Sequence, residues 1–311
     1  NVSQDGATAD NYNIKWDGET LTLQNAAIKE AEVHNNESMA VYLASGNMNL
    51  VLVGKNTVDA PDSESASSCG IHVGGSLTIS GQDNGSLSVY GGPTENGNSC
   101  GIYASGTITI ESGTVNATGE SASADSYGIN TPNAVTINGG TVTAVGGNAG
   151  GKSYGIYTSG NSTSIIVNGG TVTATSGEAQ GDSCGIFAEH QSNECSVTIN
   201  GGTGTGTADN GVGAGWYSCG IRVEGSITIN DGTVNATGKT CSSRSSYGIY
   251  ARKVVTINDG TVTATAGGGD GKQSIGIFTD GGDVIISGGN VTGIGGTGPL
   301  SCGIATNNEL E

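Results

Sequence analysis

A tripeptide of the form X-Gly-Ile recurs along this chain and constrains its fold more than any other feature. The nine copies begin at Cys69, Cys100, Tyr127, Tyr154, Cys184, Cys219, Tyr247, Ile275 and Cys302. Successive glycines of the motif are separated by 31, 27, 27, 30, 35, 28, 28 and 27 residues. A period of this length is typical of a solenoid, in which each repeat buries its apolar face against the next.

A second motif follows each of the first eight copies in the same order, most clearly at residues 135–144 and 255–264. Each repeat therefore contains three short β-branched segments that alternate apolar and polar residues, with Gly-Gly or Asp-Gly at a bend. The pattern predicts an all-β fold, a single-stranded right-handed parallel β-helix (β-solenoid) of about ten coils of three short strands. The handedness follows from the strong preference of parallel crossovers.

We expect one β-helix domain over residues 1–311. Residues 1–39 would form an N-terminal cap and the first strands, because terminal repeats need capping for solubility. Residues 40–304 would form the repeats, and residues 305–311 a C-terminal tail. A narrow solenoid core holds few large side chains, which agrees with 57 glycines and only 5% aromatic residues.

The charge balance limits the possible partners. The chain has 28 acidic and 10 basic residues, a net charge of −18, which disfavours binding to nucleic acid or to an anionic membrane surface. It has no apolar run long enough for membrane insertion. A cation such as Ca²⁺ would be attracted.

The residue after each Gly-Ile is predicted to face outward and forms a line rich in aromatic rings. The candidate ligand-binding residues on this line are Tyr42, His72, Tyr103, Tyr157, Phe187, Arg222, Tyr250 and Phe278. Rings spaced at ~4.8 Å resemble a platform on which sugar rings stack. The motif glycines are expected to form an outward column beside the rings and to leave space for the ligand. The alternative is a ring ladder that only stiffens the surface or is covered by loops.

Five of the seven cysteines occupy the X position of the motif, two residues before an inward Ile, and are expected to form a column of buried thiols. Neighbouring coils lie within the range of disulfide Cα separations, so Cys69–Cys100 and Cys184–Cys219 disulfides stay open as an alternative. His34, His72 and His190 are far apart, and no zinc-type spacing is present.

Acidic residues in loops could coordinate Ca²⁺ through their oxygen atoms, although the ligand set is unknown. They are Asp59, Asp62, Glu64, Asp83, Glu178, Asp182, Asp280 and Asp283. No group of carboxylates suited to glycoside hydrolysis is evident, so we assign no catalytic residue.

The segments 227–238 and 153–157 resemble repeats of secreted bacterial carbohydrate-binding β-helix proteins, calcium-dependent relatives of the pectate-lyase superfold. The resemblance covers residues from about 40 to 304. It implies binding of plant polysaccharides without cleavage, bound Ca²⁺, and a location outside the cell or on the bacterial surface.

We therefore expect a non-catalytic extracellular polysaccharide-binding module that uses the exposed aromatic line. The first alternative is a structural stalk or adhesin repeat whose partner is a host or cell-surface protein. The second is a polysaccharide lyase.

Overall fold

The computed structural model describes residues 12–30, 32–34, 37–62, 67–160, 163–190, 192, 194–209, 217–242, 244–268 and 273–307. The predicted Ca²⁺ candidate Glu64, residues 1–11 of the cap and residues 308–311 of the tail lie outside these ranges. No described segment forms a helix long and apolar enough to cross a membrane.

The described part of the chain contains thirty strands. In chain order they are β1 (Ile14–Trp16), β2 (Thr20–Gln24), β3 (Ala27–Ile28), β4 (Glu32–His34), β5 (Glu37–Leu43), β6 (Met48–Asp59), β7 (Ser68–Val73), β8 (Leu77–Gly91), β9 (Ser99–Ala104), β10 (Ile108–Ile110), β11 (Thr114–Gly119), β12 (Ser126–Thr131), β13 (Val135–Ile137), β14 (Thr141–Val145), β15 (Ser153–Ser159), β16 (Ser164–Val167), β17 (Thr171–Thr175), β18 (Ser183–Glu189), β19 (Ser196–Ile199), β20 (Thr203–Thr207), β21 (Tyr217–Val223), β22 (Ser226–Ile229), β23 (Thr233–Thr237), β24 (Ser245–Ala251), β25 (Val255–Ile257), β26 (Thr261–Thr265), β27 (Gln273–Thr279), β28 (Val284–Ile286), β29 (Asn290–Ile294) and β30 (Leu300–Thr306).

The strands form parallel stacked coils, and the predicted β-solenoid is confirmed, with about nine turns. The X-Gly-Ile strands make one sheet of eleven strands in the order β30-β27-β24-β21-β18-β15-β12-β9-β7-β5-β4, and the other nineteen strands make a second sheet. Antiparallel pairing occurs at the amino end, between β1 and β2 and between β4 and β5.

The prediction of three separate strands per coil is wrong for the first two complete coils. There, β6 and β8 run continuously through the position of the bend, and the register of β6 against β8 shifts between Val53 and Lys55. From β10 onward the chain bends at the second residue of each Gly-Gly, Ser-Gly or Asp-Gly pair, where the glycines have φ between 79° and 98°. This left-handed conformation favours glycine.

The core is narrow and consists mainly of Ile, Val, Leu and Ala. Equivalent side chains stack from coil to coil, as where Ile129 pairs in register with Ile102 and Ile156. All three are buried in one apolar cluster that extends along the solenoid. Because each coil buries its apolar residues only against its neighbours, core stability accumulates by stacking.

The motif glycines face inward, so the predicted outward column is wrong. A Cβ atom added to Gly128 would lie 2.5 Å from the backbone nitrogen of Val145, and one on Gly155 would lie 2.6 Å from that of Thr175. Only a residue without a side chain allows the first and third strands of a coil to approach so closely. The glycine column therefore sets the width of the coil and leaves no space for a ligand.

Because the motif glycine points inward, the X residue before it points outward and not inward. In register, Tyr127 pairs with Tyr154 and Ile129 with Ile156, whereas the glycines between them are skipped. Glycine and isoleucine both point inward, so the X residue points outward. The expectation that the motif cysteines lie on the isoleucine side is therefore wrong, because they belong to a cluster separate from the core.

Candidate functional site

Two columns of side chains cover the outside of the eleven-stranded sheet, which we call the outer face. One is the predicted aromatic line, and the other is the X column of cysteines and tyrosines. They pack together in a second apolar cluster that contains Met39, Cys69, Cys100, Tyr127, Tyr154, Cys184, Phe187, Cys219, Tyr247, Tyr250, Ile275, Phe278 and Ala305, with Tyr103 and Tyr157 packed against it.

The predicted exposure of the aromatic line is wrong for its carboxyl-terminal half. Phe187, Tyr250 and Phe278 are buried, with 2%, 5% and 3% of their surface exposed. The X column explains this burial, since the Tyr247 ring stacks on Phe278 with centroids 5.2 Å apart and planes 10° apart. These rings are a packed surface layer, not an open platform.

The amino-terminal half of the line remains accessible. Tyr42 is 39% exposed, and His72, Tyr103 and Tyr157 are half-buried. The His72 ring contacts Tyr103 with centroids 4.8 Å apart and contacts Tyr42 at 5.4 Å. Tyr42, His72 and Tyr103 therefore form one continuous row of rings in contact.

Arg222 is held within the line and is not free to bind a ligand. Its guanidinium lies 4.6 Å from the Phe187 ring centroid and 4.4 Å from that of Tyr217. It forms ion pairs of 2.6 Å with both Asp182 and Glu224. Burial opposes its charge, but the two carboxylates hold the pKa of Arg222 well above its ordinary value.

The two acidic partners of Arg222 were not predicted as such from the sequence. Glu224 follows Arg222 by two residues, and Asp182 lies in the neighbouring coil. The i, i+2 spacing of Arg222 and Glu224 was a usable signal, since such residues share a strand face. The contact with Asp182 depends on the register of two distant segments.

A cavity of about 300 Å³ opens on the outer face near its amino-terminal end. Here the X column contributes the small side chains of Cys69 and Cys100, whereas the next two coils contribute Tyr127 and Tyr154. Its lining residues are Glu37, Ser67, Ser68, Cys69, His72, Asn98, Cys100, Tyr103, Ser105, Tyr127 and Asn130. The structure thus brings together His72 and Tyr103 of the predicted set with Tyr127, two asparagines and a carboxylate that were not predicted as site residues.

Hydrogen bonds hold the cavity wall at Tyr127. The Tyr127 hydroxyl donates to Asp125 Oδ2 at 2.8 Å, and the other Asp125 oxygen accepts from the Lys152 backbone N–H at 2.7 Å. Burial, followed by the Asp125 charge, raises the pKa of Tyr127 far above its usual range. The Tyr127 ring therefore presents a neutral, fixed face.

The charged state of the cavity is set by Glu37 and His72. Their side chains approach to 4.0 Å, and the Glu37 side chain is 43% exposed. Burial lowers the pKa of His72, although the Glu37 charge opposes this effect. His72 is thus biased toward its neutral form, and Glu37 brings a negative charge to the cavity mouth.

None of the seven cysteines, all of which the structure describes, forms a disulfide. Cys69 pairs in register with Cys100, and Cys184 with Cys219, so the two pairs of the disulfide alternative do lie side by side. Burial and the neighbouring Cys69 thiol raise the pKa of Cys100 well above its ordinary value. The Cys100 thiol is therefore protonated and a poor nucleophile.

No group of three or more His, Cys, Asp or Glu residues that could hold a metal is found in the described ranges. Burial raises the pKa of Glu120, and the charges of Asp59 and Asp62 raise it further. Both aspartates are predicted Ca²⁺ candidates. The expectation of bound Ca²⁺ stays a prediction.

A serine column was missed by the sequence interpretation, although it precedes every copy of the X-Gly-Ile motif. It consists of Ser68, Ser99, Ser126, Ser153, Ser183, Ser218, Ser246, Ser274 and Ser301. Ser153 Oγ accepts from the Gly177 N–H at 2.9 Å and donates to the Gly147 carbonyl at 2.8 Å. The column ties the coil-closing loops to the sheet that carries the cavity.

A family model described as carbohydrate-binding domain-containing protein matches residues 2–293. The chain belongs to this carbohydrate-binding domain-containing family. Its match covers all described coils up to β29, which includes the cavity. No curated protein and no solved structure matches the chain.

Membership of the carbohydrate-binding domain-containing family supports a polysaccharide or glycan as partner. The family match names no binding residues, so the location of the binding site has to be argued from the outer face itself.

Proposed function

We propose that the protein is a non-catalytic extracellular polysaccharide-binding module and that the cavity on the outer face is its binding site. The observation that carries this proposal is the convergence of the Tyr103 and Tyr127 rings with the Asn98 and Asn130 amides around one open space. The family match supplies the class of ligand.

The cavity has the chemistry that sugar recognition requires. A pyranose presents apolar C–H faces and a rim of hydroxyls, so it needs a ring surface together with hydrogen-bond donors and acceptors. Tyr103 offers a half-buried ring, and Asn98 and Asn130 carry amides that both donate and accept. A volume of about 300 Å³ lies at the lower end of the range for ligand pockets, so a short stretch of a glycan chain fits.

The proposed location outside the cell follows from the ligand, because structural polysaccharides are extracellular polymers. Ca²⁺ could assist binding through the acidic loops, and repeating each binding measurement with a chelator tests that part of the proposal. A host or cell-surface protein would be a partner only through the glycans that it carries.

The proposal is tested by Tyr103→Ala, with Tyr90→Ala as the matched control. Tyr90 is also half-buried, but it lies on β8, in the other sheet. Affinity gels and calorimetry against plant polysaccharides and mucin glycans should show binding by the wild type. We expect Tyr103→Ala to weaken binding at least about tenfold, or about 1.4 kcal/mol, as for truncation of an aromatic hot-spot residue.

The Tyr90→Ala variant should bind like the wild type. Equal binding by Tyr103→Ala and Tyr90→Ala would place the site elsewhere, and no binding by the wild type to any glycan would refute the function.

One observation favours the structural stalk as a second candidate. The buried stack that includes Phe187, Tyr250 and Phe278 stiffens the outer face without offering a surface to a ligand. Under this alternative, Tyr103→Ala would reduce stability and leave every glycan unbound in both forms. Measuring binding and unfolding on the same variants separates the two candidates.

A further inference from the structure

The charges around the cavity indicate which glycans it accepts. Among the described residues that line it there is no Lys or Arg, whereas Glu37 contributes a carboxylate. Asp125 adds a second carboxylate directly behind Tyr127, at 2.8 Å from its hydroxyl oxygen. The carboxylates of Glu37 and Asp125 therefore give the cavity a negative potential.

The two arginines of the outer face do not reverse this potential. Arg222 is paired with Asp182 and Glu224 at 2.6 Å, and Arg252 is paired with Glu224 at 3.0 Å. A ligand carboxylate would have to displace these partners. The net charge of −18 adds long-range repulsion for any polyanionic chain.

His72 does not supply the missing positive charge either. It faces Glu37 at 4.0 Å, and Tyr42 and Tyr103 lie against its ring. Burial lowers the pKa of His72, so it is biased toward the neutral form. A neutral imidazole can donate or accept a hydrogen bond from a sugar hydroxyl, but it does not balance a carboxylate.

We propose that this cavity selects glycans without acid groups, and that Glu37 makes it bind amino sugars more tightly than their neutral counterparts. This inference rests on the proposed function. The proposed ligands are neutral glycans and amino sugars, and pectin-like uronate chains are excluded from the cavity. The selection comes from like-charge repulsion against uronates and from ion pairing of Glu37 with a protonated sugar amine.

The test uses three β-1,4-linked hexasaccharides with the same backbone and different charge: glucose, glucosamine and glucuronic acid. Calorimetry at low ionic strength, at a pH that keeps the amine protonated, gives their affinities. We expect glucosamine to bind about 1.5-fold to fivefold tighter than glucose, as for a partly exposed ion pair. Glucuronic acid should bind at least about tenfold more weakly than glucose. Added salt should reduce both differences, because it screens exposed charges.

Glu37→Gln should abolish the preference for glucosamine over glucose and should reduce the discrimination against glucuronic acid. Glu178→Gln is the control, since it removes the same charge from an exposed loop position outside the cavity. Equal effects of the two variants would show that net charge, not Glu37, sets the preference.

Tighter binding of glucuronic acid than glucose, lost in Tyr103→Ala, would overturn the inference and leave the proposed function intact. The absence of binding to all three sugars, and to every polysaccharide of the wider panel, would refute the function itself. Release of unsaturated uronate products that absorb ultraviolet light would overturn both and favour a lyase.

Discussion

The ion pairs around Arg222 lead to a sharp prediction about stability. In Arg222→Met the long side chain can still pack between the Phe187 and Tyr217 rings, but Asp182 loses its cation. The side chains of Arg222 and Asp182 are only 12% and 11% exposed. Removing one partner of a buried pair costs about 3–5 kcal/mol, because the other charge stays buried without compensation.

The structure places the cost at the lower end of this range, at about 3 kcal/mol. Asp182 keeps the hydrogen bond from the Tyr217 backbone N–H, and Glu224 keeps its ion pair with Arg252. The methionine sulfur also regains part of the contact with the rings. The loss therefore comes mainly from the uncompensated charge of Asp182.

Arg252→Met is the matched control, because it removes a second arginine paired with the same Glu224. The Arg252 side chain is 50% exposed, and such a pair is worth about 0–1 kcal/mol. Urea unfolding should shift the midpoint of Arg222→Met down by roughly 1 M for a slope near 3 kcal/mol/M. Hydrogen exchange should show the loss in β18 and β21, since solenoid coils couple mainly to their neighbours.

Asp182→Asn in the Arg222→Met background should recover much of the lost stability, because the amide oxygen still accepts from Tyr217 and carries no charge. Equal unfolding midpoints of Arg222→Met and Arg252→Met, or a double variant less stable than Arg222→Met, would refute an uncompensated Asp182 charge as the cause of the loss. Glycan affinity should not change in Arg222→Met, because Arg222 does not line the cavity.

Two further predictions concern hydrogen bonds and pH. Ser153→Ala should lower the free energy of unfolding by about 1–3 kcal/mol, because a loop N–H and a loop carbonyl lose their buried partner. The same change at the exposed Ser301 should cost no more than about 0.5 kcal/mol, and equal costs would contradict the burial argument. Burial and the charges of Asp59 and Asp62 raise the pKa of Glu120, so this carboxyl group binds its proton more tightly in the folded protein than in the unfolded chain. Stability is then lost as pH rises through the raised pKa, and Glu120→Gln should raise the urea midpoint at neutral pH but not in acid. A variant that is less stable than the wild type at neutral pH would show that the Glu120 carboxylate is stabilising.

The fold was predictable from the sequence because the motif repeats in a fixed order. Each copy of Val-Thr-Ile or Thr-Val-Thr-Ala alternates apolar and polar residues within one strand, and this alternation is a local property. Repetition at a nearly constant period then places equivalent residues of successive coils side by side, as for Ile129 and Ile156. The motif did not predict that β6 and β8 run continuously through the position of the bend.

The candidate site was predictable only in part. The position of the aromatic line was clear, but not the burial of Phe187 and Phe278, because their neighbours in the X column were assigned to the wrong face. That assignment assumed strict alternation through Gly128 and its equivalents. An inward glycine violates alternation, and its orientation depends on how closely the third strand approaches.

The sequence by itself determined the period, the strand pattern, the narrow aliphatic core and the acidic charge, since all of these are carried by local order and composition. Only the tertiary structure decided which side chains share a surface. The cavity lies where Cys69 and Cys100 come from adjacent coils, and Tyr103 and Tyr127 border the same open space. Asp182 contacts Arg222, although 40 residues of chain separate them, because β18 and β21 lie side by side in adjacent coils. Stacking of coils creates contacts between segments that no local pattern joins, and those contacts set the burial and charge of the site.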